Sequence, residues 1–404
     1  MDFALTEEQR RLQASCRELA ADFAKRAAEH DRDASPPREN YDALRKAGIN
    51  ALTIPKEFGG QGGGLLGYAI AAEEIAQGDA ATALSYNMHH ANMAAIFFES
   101  PVARETKQRI ADLVIKEGKL TADSVSEPGT TSLVPTSYAC SCQAKRVPGG
   151  IELNGRKAFV SMFESADYTL MFAHPEWDPN PEAGIGFLLP AKSPGIRVER
   201  VWDTLGMRAT RSDTVILEKC FVPQEFVLEE FYVPSIWGWL QDNEPIFNIP
   251  YTAVYLGVGV AALKAAIATV SKRVPKGFKQ SLAYHPDVRR RIALMACQLD
   301  AARWVLRYAA WRVDTEGQNP ETVTLYLKAK YLVGEATAAA TRSALEMGGA
   351  HAIFKGQPIE RLFRDGATAS MQHPPSDLCL SQVSIHELGL DREQIRPWLE
   401  PGWD

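Results

Sequence analysis

Eight histidines are the side chains of this sequence able to take or give a proton near neutral pH, since an imidazole titrates at about 6.5. His373 stands in the run Gln372-His373-Pro374-Pro375, where two prolines fix the backbone and remove two amide donors. His89 and His90 are neighbours in an alanine-rich helical stretch. Adjacent residues on a helix point about 100° apart, so the pair cannot form a two-ligand metal face. One of them is expected to face a cavity and the other to pack or cap. Phe159 and Ser161, two apart on a predicted strand, should share a face, placing an aromatic plane beside a hydroxyl. The six cysteines contain no CxxC pair, and Cys140-Ser141-Cys142 is too close for a metal clip or an easy disulfide. The glycine run Gly59 to Gly64 does not fit GxGxxG and lacks a strand before it, so it reads as an interhelical turn.

These groups need a scaffold, and the chain is long enough to supply one. Its 404 residues can bury a large core in two or three domains, and 46% hydrophobic with 23% charged residues is an ordinary globular composition. A net charge of -6 argues against a nucleic-acid partner. The charged start MDFALTEEQRRLQ lacks an apolar signal core, and the apolar run Ala253 to Leu263 is short of the ~20 residues that span a bilayer. With scattered cysteines, a cytoplasmic, reducing location without membrane contact is the expectation.

The first ~120 residues carry helical spacing, opened by the capping box Thr6 to Gln9. From about Leu120, short runs rich in β-branched and aromatic residues are divided by turns such as Asn154-Gly155 and Ser193-Pro194-Gly195. No helical pattern intervenes, so the sheet should be antiparallel or barrel-like. Beyond ~245 long periodic helices return, one starting at Pro286 with Ile292, Met295, Leu299, Ala302, Leu306, Ala309 and Val313 as its stripe. Another is closed by Gly348-Gly349. The prediction is a mainly α fold with a central β-domain: an N-terminal helical domain (1–119), an antiparallel, barrel-like middle β-domain (120–235) and a C-terminal four-helix bundle (236–404).

This order, with a set of strings in matching sequence, resembles the acyl-CoA dehydrogenase family over nearly the full length. The strings are LTEEQRRLQ, IPKEFGGQG and Ala71-Ala72-Glu73-Glu74; then SVSEPGT, LNGRKAFVS, and LGMRAT followed by CFVP; then RRRIALMACQLDAAR, Met347-Gly348-Gly349 and LFRD at Leu362 to Asp365. The resemblance implies a homotetrameric flavoprotein with FAD, or alternatively FMN, between β-domain and bundle. It puts Val125 and Ser126 at the isoalloxazine edge, Phe159 against the ring and Ser161 at flavin N5. Arg273, Gly348 and Gly349 would meet the cofactor's ADP half, with Arg273 reaching a neighbouring subunit's FAD. His89, His90, Ser132 and Tyr251 would line the pocket for an acyl-CoA or other small-molecule substrate.

Four departures stand out. Phe159 and Ser161 replace the family's frequent Trp and Thr, and Leu345 replaces the glutamine before the Gly pair. His373 falls where the family carries its catalytic glutamate, and the second site some members use falls near Tyr251, so neither position is acidic. A histidine could serve as the base there, or cap the loop and touch substrate. Three readings follow: α,β-dehydrogenation of an acyl thioester with His373 as base, a reduced-flavin monooxygenase of the same fold, or a non-catalytic flavin- or acyl-CoA-binding partner subunit. The first two require an electron acceptor or a flavin reductase.

Overall fold

The computed structural model of the chain describes residues 4–98, 100–129 and 140–390. Its first helix forms as the capping box predicts: the Gln9 N–H donates to Thr6 Oγ1 at 3.2 Å and the Thr6 N–H to Gln9 Oε1 at 3.0 Å. Helices α1 (Glu7–Phe23), α2 (Ala27–Asp33), α3 (Arg38–Lys46), α4 (Gly64–Ala76), α5 (Ala80–Phe97) and α6 (Arg104–Ile115) make the N-terminal part.

The glycine run before α4 is a turn whose amides are already used. Those of Gly60, Gln61, Gly62 and Gly63 donate to the carbonyls of Pro55, Ala51, Ile54 and Leu52, leaving no cradle for a phosphate. Gly64 adopts φ +64°, and a Cβ there would lie 2.6 Å from the Asp314 carboxylate. That carboxylate accepts from the N–H groups of Leu65 and Leu66 at 2.8 and 2.9 Å, capping α4 from a distant helix. Asp314→Ala should cost about 1 kcal/mol, the usual loss of a helix cap. The midpoint of urea unfolding reads it.

The middle region contains β1 (Thr121–Ser124), β2 (Gln143–Val147), β3 (Gly150–Val160), β4 (Tyr168–Pro175), β5 (Gly184–Pro190), β6 (Ile196–Glu199), β7 (Asp213–Pro223) and β8 (Val227–Val233). They form one sheet in the order β6-β7-β3-β2-β4-β5-β8, with β1 beside β4. Most pairs are antiparallel as expected, but β1–β4 and the short β2–β4 contact are parallel.

A short helix α7 (Ile236–Asp242) leads to three long ones, α8 (Glu244–Lys272), α9 (Pro286–Glu316) and α10 (Pro320–Gly348), with α11 (Pro358–Gly366) and α12 (Ser376–Glu387) completing the bundle. The predicted α9 stripe is buried from Met295 to Val313, with Ile292 half-buried at its edge. Helix α8 corrects the expectation about apolar runs: its 29 residues are long and apolar enough to cross a membrane. Here 61% of its most apolar window is buried inside the protein, against α4, α5, α9 and α10.

Charged pairs staple the parts together. Glu73 on α4 is buried and accepts from Arg303 and Arg307 of α9 at 2.8 and 3.0 Å. Arg364 of α11 grips Asp31 on α2, Glu360, and the Leu205 carbonyl. Its neighbour Asp365 accepts the Met207 N–H at 2.6 Å. The Arg-Asp motif therefore ties bundle, first helices and β-domain.

Candidate active site

Strand β1 runs out at Ser124 into Val125-Ser126-Glu127. Val125 is half-buried and Ser126 exposed, and the Ser126 carbonyl accepts the Ala158 N–H at 2.9 Å. Glu127 anchors the turn from below. Its buried carboxylate accepts from Lys157 Nζ at 2.5 Å, Cys140 Sγ at 2.9 Å, the Ser141 N–H at 2.6 Å, the Ser141 hydroxyl and the Cys142 N–H at 3.3 Å. Burial pushes this carboxyl up, but the Lys157 ammonium and the hydrogen bonds from Cys140, Lys157 and Ser141 outweigh it and hold the group below its ordinary range.

The expectation that Phe159 and Ser161 share a face is corrected. Phe159 adopts φ +58° beside a register shift between Lys157 and Val160, so the period of two is broken there. Phe159 is 65% exposed while Ser161 is 6% exposed. The phenyl ring meets Trp202 edge-on, with centroids 6.1 Å apart. The Ser161 hydroxyl joins those of Ser212 and Thr210, each step 2.8 Å. An exposed aromatic held on left-handed backbone beside a hydroxyl chain fits a flat polar-edged ring better than it fits a packed core.

Across from this turn, the segment between α11 and α12 is clamped through its backbone. Lys330 Nζ on α10 donates to the Ala369 carbonyl at 3.0 Å, the Tyr251 hydroxyl on α8 to the His373 carbonyl at 2.7 Å, and Cys379 Sγ on α12 to the Pro374 carbonyl at 3.5 Å. The His373 side chain is 34% exposed, and its Nε2 lies 3.5 Å from Glu244 Oε1 at the head of α8. Asp123 on β1 joins the two halves electrostatically. Burial pushes its carboxyl up to about 7 against the pull of Lys157, and Oδ1 has no partner among the described residues. Burial also raises the Tyr251 phenol, with the charges of Glu244, Tyr255, Asp123 and Cys379 adding to it.

Other predicted site residues lie elsewhere. His89 and His90 are fully buried, which corrects their placement on a substrate pocket. His89 Nδ1 pairs with Thr121 Oγ1 at 3.2 Å and Nε2 with the Asn50 carbonyl at 2.9 Å. His90 Nδ1 meets Thr53 Oγ1 at 3.0 Å and its ring packs on Tyr68 at 3.8 Å. Helix α5 is buried almost all round, so both rings face protein. Burial lowers His89 to about 4 and His90 well below its ordinary value. Below about pH 6.5 the unfolded chain therefore binds more protons, and stability falls as pH falls. His90→Phe removes one such group. Relative to this variant the parent should lose up to about 1.4 kcal/mol per pH unit below 6.5, measured by urea unfolding at several pH values. A lost Thr53 contact would give a constant offset, not a slope.

Arg273, Gly348 and Gly349 meet one another at the far end of α8. Arg273 Nη1 donates to the Gly348 carbonyl at 3.1 Å, and Gly349 takes φ +66° with Arg273 Nη1 3.1 Å from where a Cβ would sit. At 1.5 Å per residue this end lies about 40 Å from Glu244, so it does not share a pocket with His373 in one chain. Ser132 lies outside the described residues. Among these there is no group of three metal-ligating side chains. A cavity of about 650 Å³ lies between 33–38 and 200–203 and is lined by Trp202, the ring that Phe159 meets; of its lining arginines, Arg38 donates to the Glu164 carbonyl, Arg200 pairs with Glu164 and Arg211 with Asp213.

Glu244 and Asp123 were not singled out in the sequence, yet Glu244 stands seven residues before Tyr251. Two helical turns put them on one face, a spacing that was open to inspection.

Comparison with known proteins gives a consistent picture. The families described as acyl-CoA dehydrogenase N-terminal, middle and C-terminal domain match residues 6–109, 122–220 and 249–371. YdbM of Bacillus subtilis (strain 168) is 28% identical over 393 residues, covering 96% of this chain and 98% of its own. The mitochondrial short-chain specific acyl-CoA dehydrogenase of Rattus norvegicus is 26% identical, covering 95% and 91%. Among solved structures, FMN-bound TdsC of Paenibacillus sp. A11-2, a dibenzothiophene monooxygenase, superposes with a TM-score of 0.83 at 27% identity, covering 94% and 97%.

Proposed function

The chain belongs to the acyl-CoA dehydrogenase family, and on that footing we propose that it is an FAD-dependent oxidoreductase that desaturates an acyl thioester between its α and β carbons. The observation carrying this reading is the imidazole of His373, partly exposed on a clamped loop, at the position that the sequence resemblance assigns to the family's base. When bound, FAD supplies the hydride acceptor. Phe159 would cover the ring, the Ser126 turn and the Ser161 hydroxyl would meet its polar edge, and His373 takes the α-proton. General-base help of this kind is worth about 10²–10⁴-fold in rate.

Anaerobic mixing with butanoyl-CoA tests the reading: bleaching of the visible flavin band supports it. The second reading, a reduced-flavin monooxygenase, is favoured by the likeness to TdsC and by an imidazole in place of the glutamate. It predicts rapid oxygen uptake by the reduced, substrate-bound protein, with FMN in place of FAD. A protein purified without any flavin would favour the partner-subunit reading.

A homotetramer is part of the proposal. Around the Arg273 end, Phe278 (71% exposed), Tyr284 (63%), Ile353 (66%) and Phe354 (60%) offer apolar surface suited to a second copy. The distance to His373 supports reading Arg273 as a residue for a neighbour's FAD. Light scattering that returned a monomer would remove this part. A cytoplasmic location is proposed with it, supported by six free cysteines.

A further inference from the structure

We propose that Asp123 and Asn92 form a receptor for a primary ammonium group, so that the acyl chain this protein oxidises carries an amine beyond its two reacting carbons. Placing the amine on an acyl chain rests on the thioester reading. The receptor itself does not.

Strand β1 sets where Asp123 points. Thr121 and Asp123 stand two apart on it and share a face. The Thr121 hydroxyl meets His89 Nδ1 at 3.2 Å and accepts from Asn92 Nδ2 at 3.1 Å, both on α5, so this face is turned to the helices. The register agrees. Asp123 pairs with Leu170 of β4, and Phe172, two residues on and on the same face, packs on Trp239 of α7 with centroids 5.3 Å apart. Trp239 in turn meets Phe247 of α8. Asp123 therefore projects between strand and helices, two residues before Val125, and its charge acts on Tyr251 of α8.

Two acceptors in this place lack a donor. Asp123 Oδ1 is buried and has no hydrogen-bond partner among the described residues. Asn92 is fully buried, and its Nδ2 donates to Thr121 Oγ1 and, at 2.7 Å, to the Ala122 carbonyl. Those bonds fix which end of the amide is oxygen, and Asn92 Oδ1 has no partner among the described residues either. The amide is held at Thr121, about 7 Å along the strand from Asp123. Neighbouring donors are committed elsewhere: the Tyr251 hydroxyl to the His373 carbonyl and the Lys157 ammonium to Glu127. A buried acceptor without a donor is costly, and a fold that keeps two of them beside its active site holds them for a ligand.

Charge and donor count decide which ligand. Burial pushes the Asp123 carboxyl up to about 7, with Lys157 and the Ser124 amide pulling the other way. Lys157 is already balanced by Glu127, so an ionised Asp123 lacks a counter-charge of its own. A hydroxyl brings one proton and no charge. An ammonium brings three N–H donors, enough for both oxygens, and the missing positive charge.

The test uses the flavin-loaded protein at about pH 8, where Asp123 is ionised, and its Asp123→Asn variant, which keeps the shape and removes the charge. n-Butylammonium and n-butanol, alike in size, are titrated into each by calorimetry; affinities of about millimolar suit ligands so small. The parent should hold the amine at least about 10-fold more tightly than the alcohol, and Asp123→Asn should lose that margin. Equal affinity of the parent for the two ligands, or a margin kept in Asp123→Asn, overturns the receptor. If Asp123→Asn fails to fold by circular dichroism, Asp123→Ala takes its place under the same criteria. A second arm sets 6-aminohexanoyl-CoA beside hexanoyl-CoA under anaerobic conditions. Faster flavin bleaching by the amino thioester supports the acyl assignment, and bleaching no faster than by hexanoyl-CoA overturns it. Tight amine binding with no bleaching by either thioester sustains the receptor and discards the dehydrogenase reading instead.

Discussion

His373→Ala should lower turnover by about 10²–10⁴-fold while the protein keeps its flavin and its fold. The second half of that expectation comes from how the loop is held. Its anchors are backbone carbonyls at Ala369, His373 and Pro374, taken by Lys330, Tyr251 and Cys379. The imidazole itself lies beside Glu244 Oε1 at 3.5 Å. Cutting it back to a methyl leaves each of these carbonyl anchors in place but takes away the neighbour of Glu244, so cofactor content should hold while the melting temperature falls modestly. Turnover and bound flavin measured on one preparation separate the cases: unchanged turnover discards a catalytic role, and joint loss of both means the side chain was structural after all.

Lys157→Met should destabilise the protein by about 3–5 kcal/mol, the largest loss expected for any single change considered. Lys157 and Glu127 have side chains 1% and 2% exposed, so removing the ammonium leaves a carboxylate in the interior whose hydrogen-bond donors Cys140, Ser141 and Cys142 are neutral. The damage falls on the turn carrying Val125 and Ser126, and flavin should be released at lower urea than the global transition. Replacing both partners with apolar residues of similar size should recover most of the loss, because a buried pair contributes little over a well-packed apolar one. Chemical unfolding of the two variants checks both statements. Equal loss in the double variant would mean that the donors around Glu127 depend on its charge and not only on its partner.

The two predictions use features of different visibility in the sequence. The capping box at Thr6, the α9 stripe and the turn reading of Gly59 to Gly64 rest on local chemistry, and each appears in the structure as spacing implied. The parallel β1–β4 pair was not legible, because a strand's partner is chosen by tertiary packing and not by its own alternation. Phe159 was misplaced because a left-handed residue breaks the period of two, and nothing about a phenylalanine announces that backbone. The histidines of α5 were misplaced for another reason. A helix buried on nearly every side has no polar stripe from which to read its inward face. Glu244 is different: its spacing from Tyr251 is plain in the sequence, but only the fold brings its carboxylate beside His373.

Helix α8 carries a consequence for how this chain is made. It packs against α4 and α5, which precede it, and against α9 and α10, which follow. As it leaves the ribosome, the part of its apolar surface that α9 and α10 cover stays bare until the chain has been made as far as Gly348. During that interval a nascent segment of bilayer-spanning length is available to chaperones and to the membrane-targeting machinery alike. Translation stalled just after Lys272 would expose a segment long and apolar enough to cross a membrane, and the later helices turn it into the axle of a folded bundle.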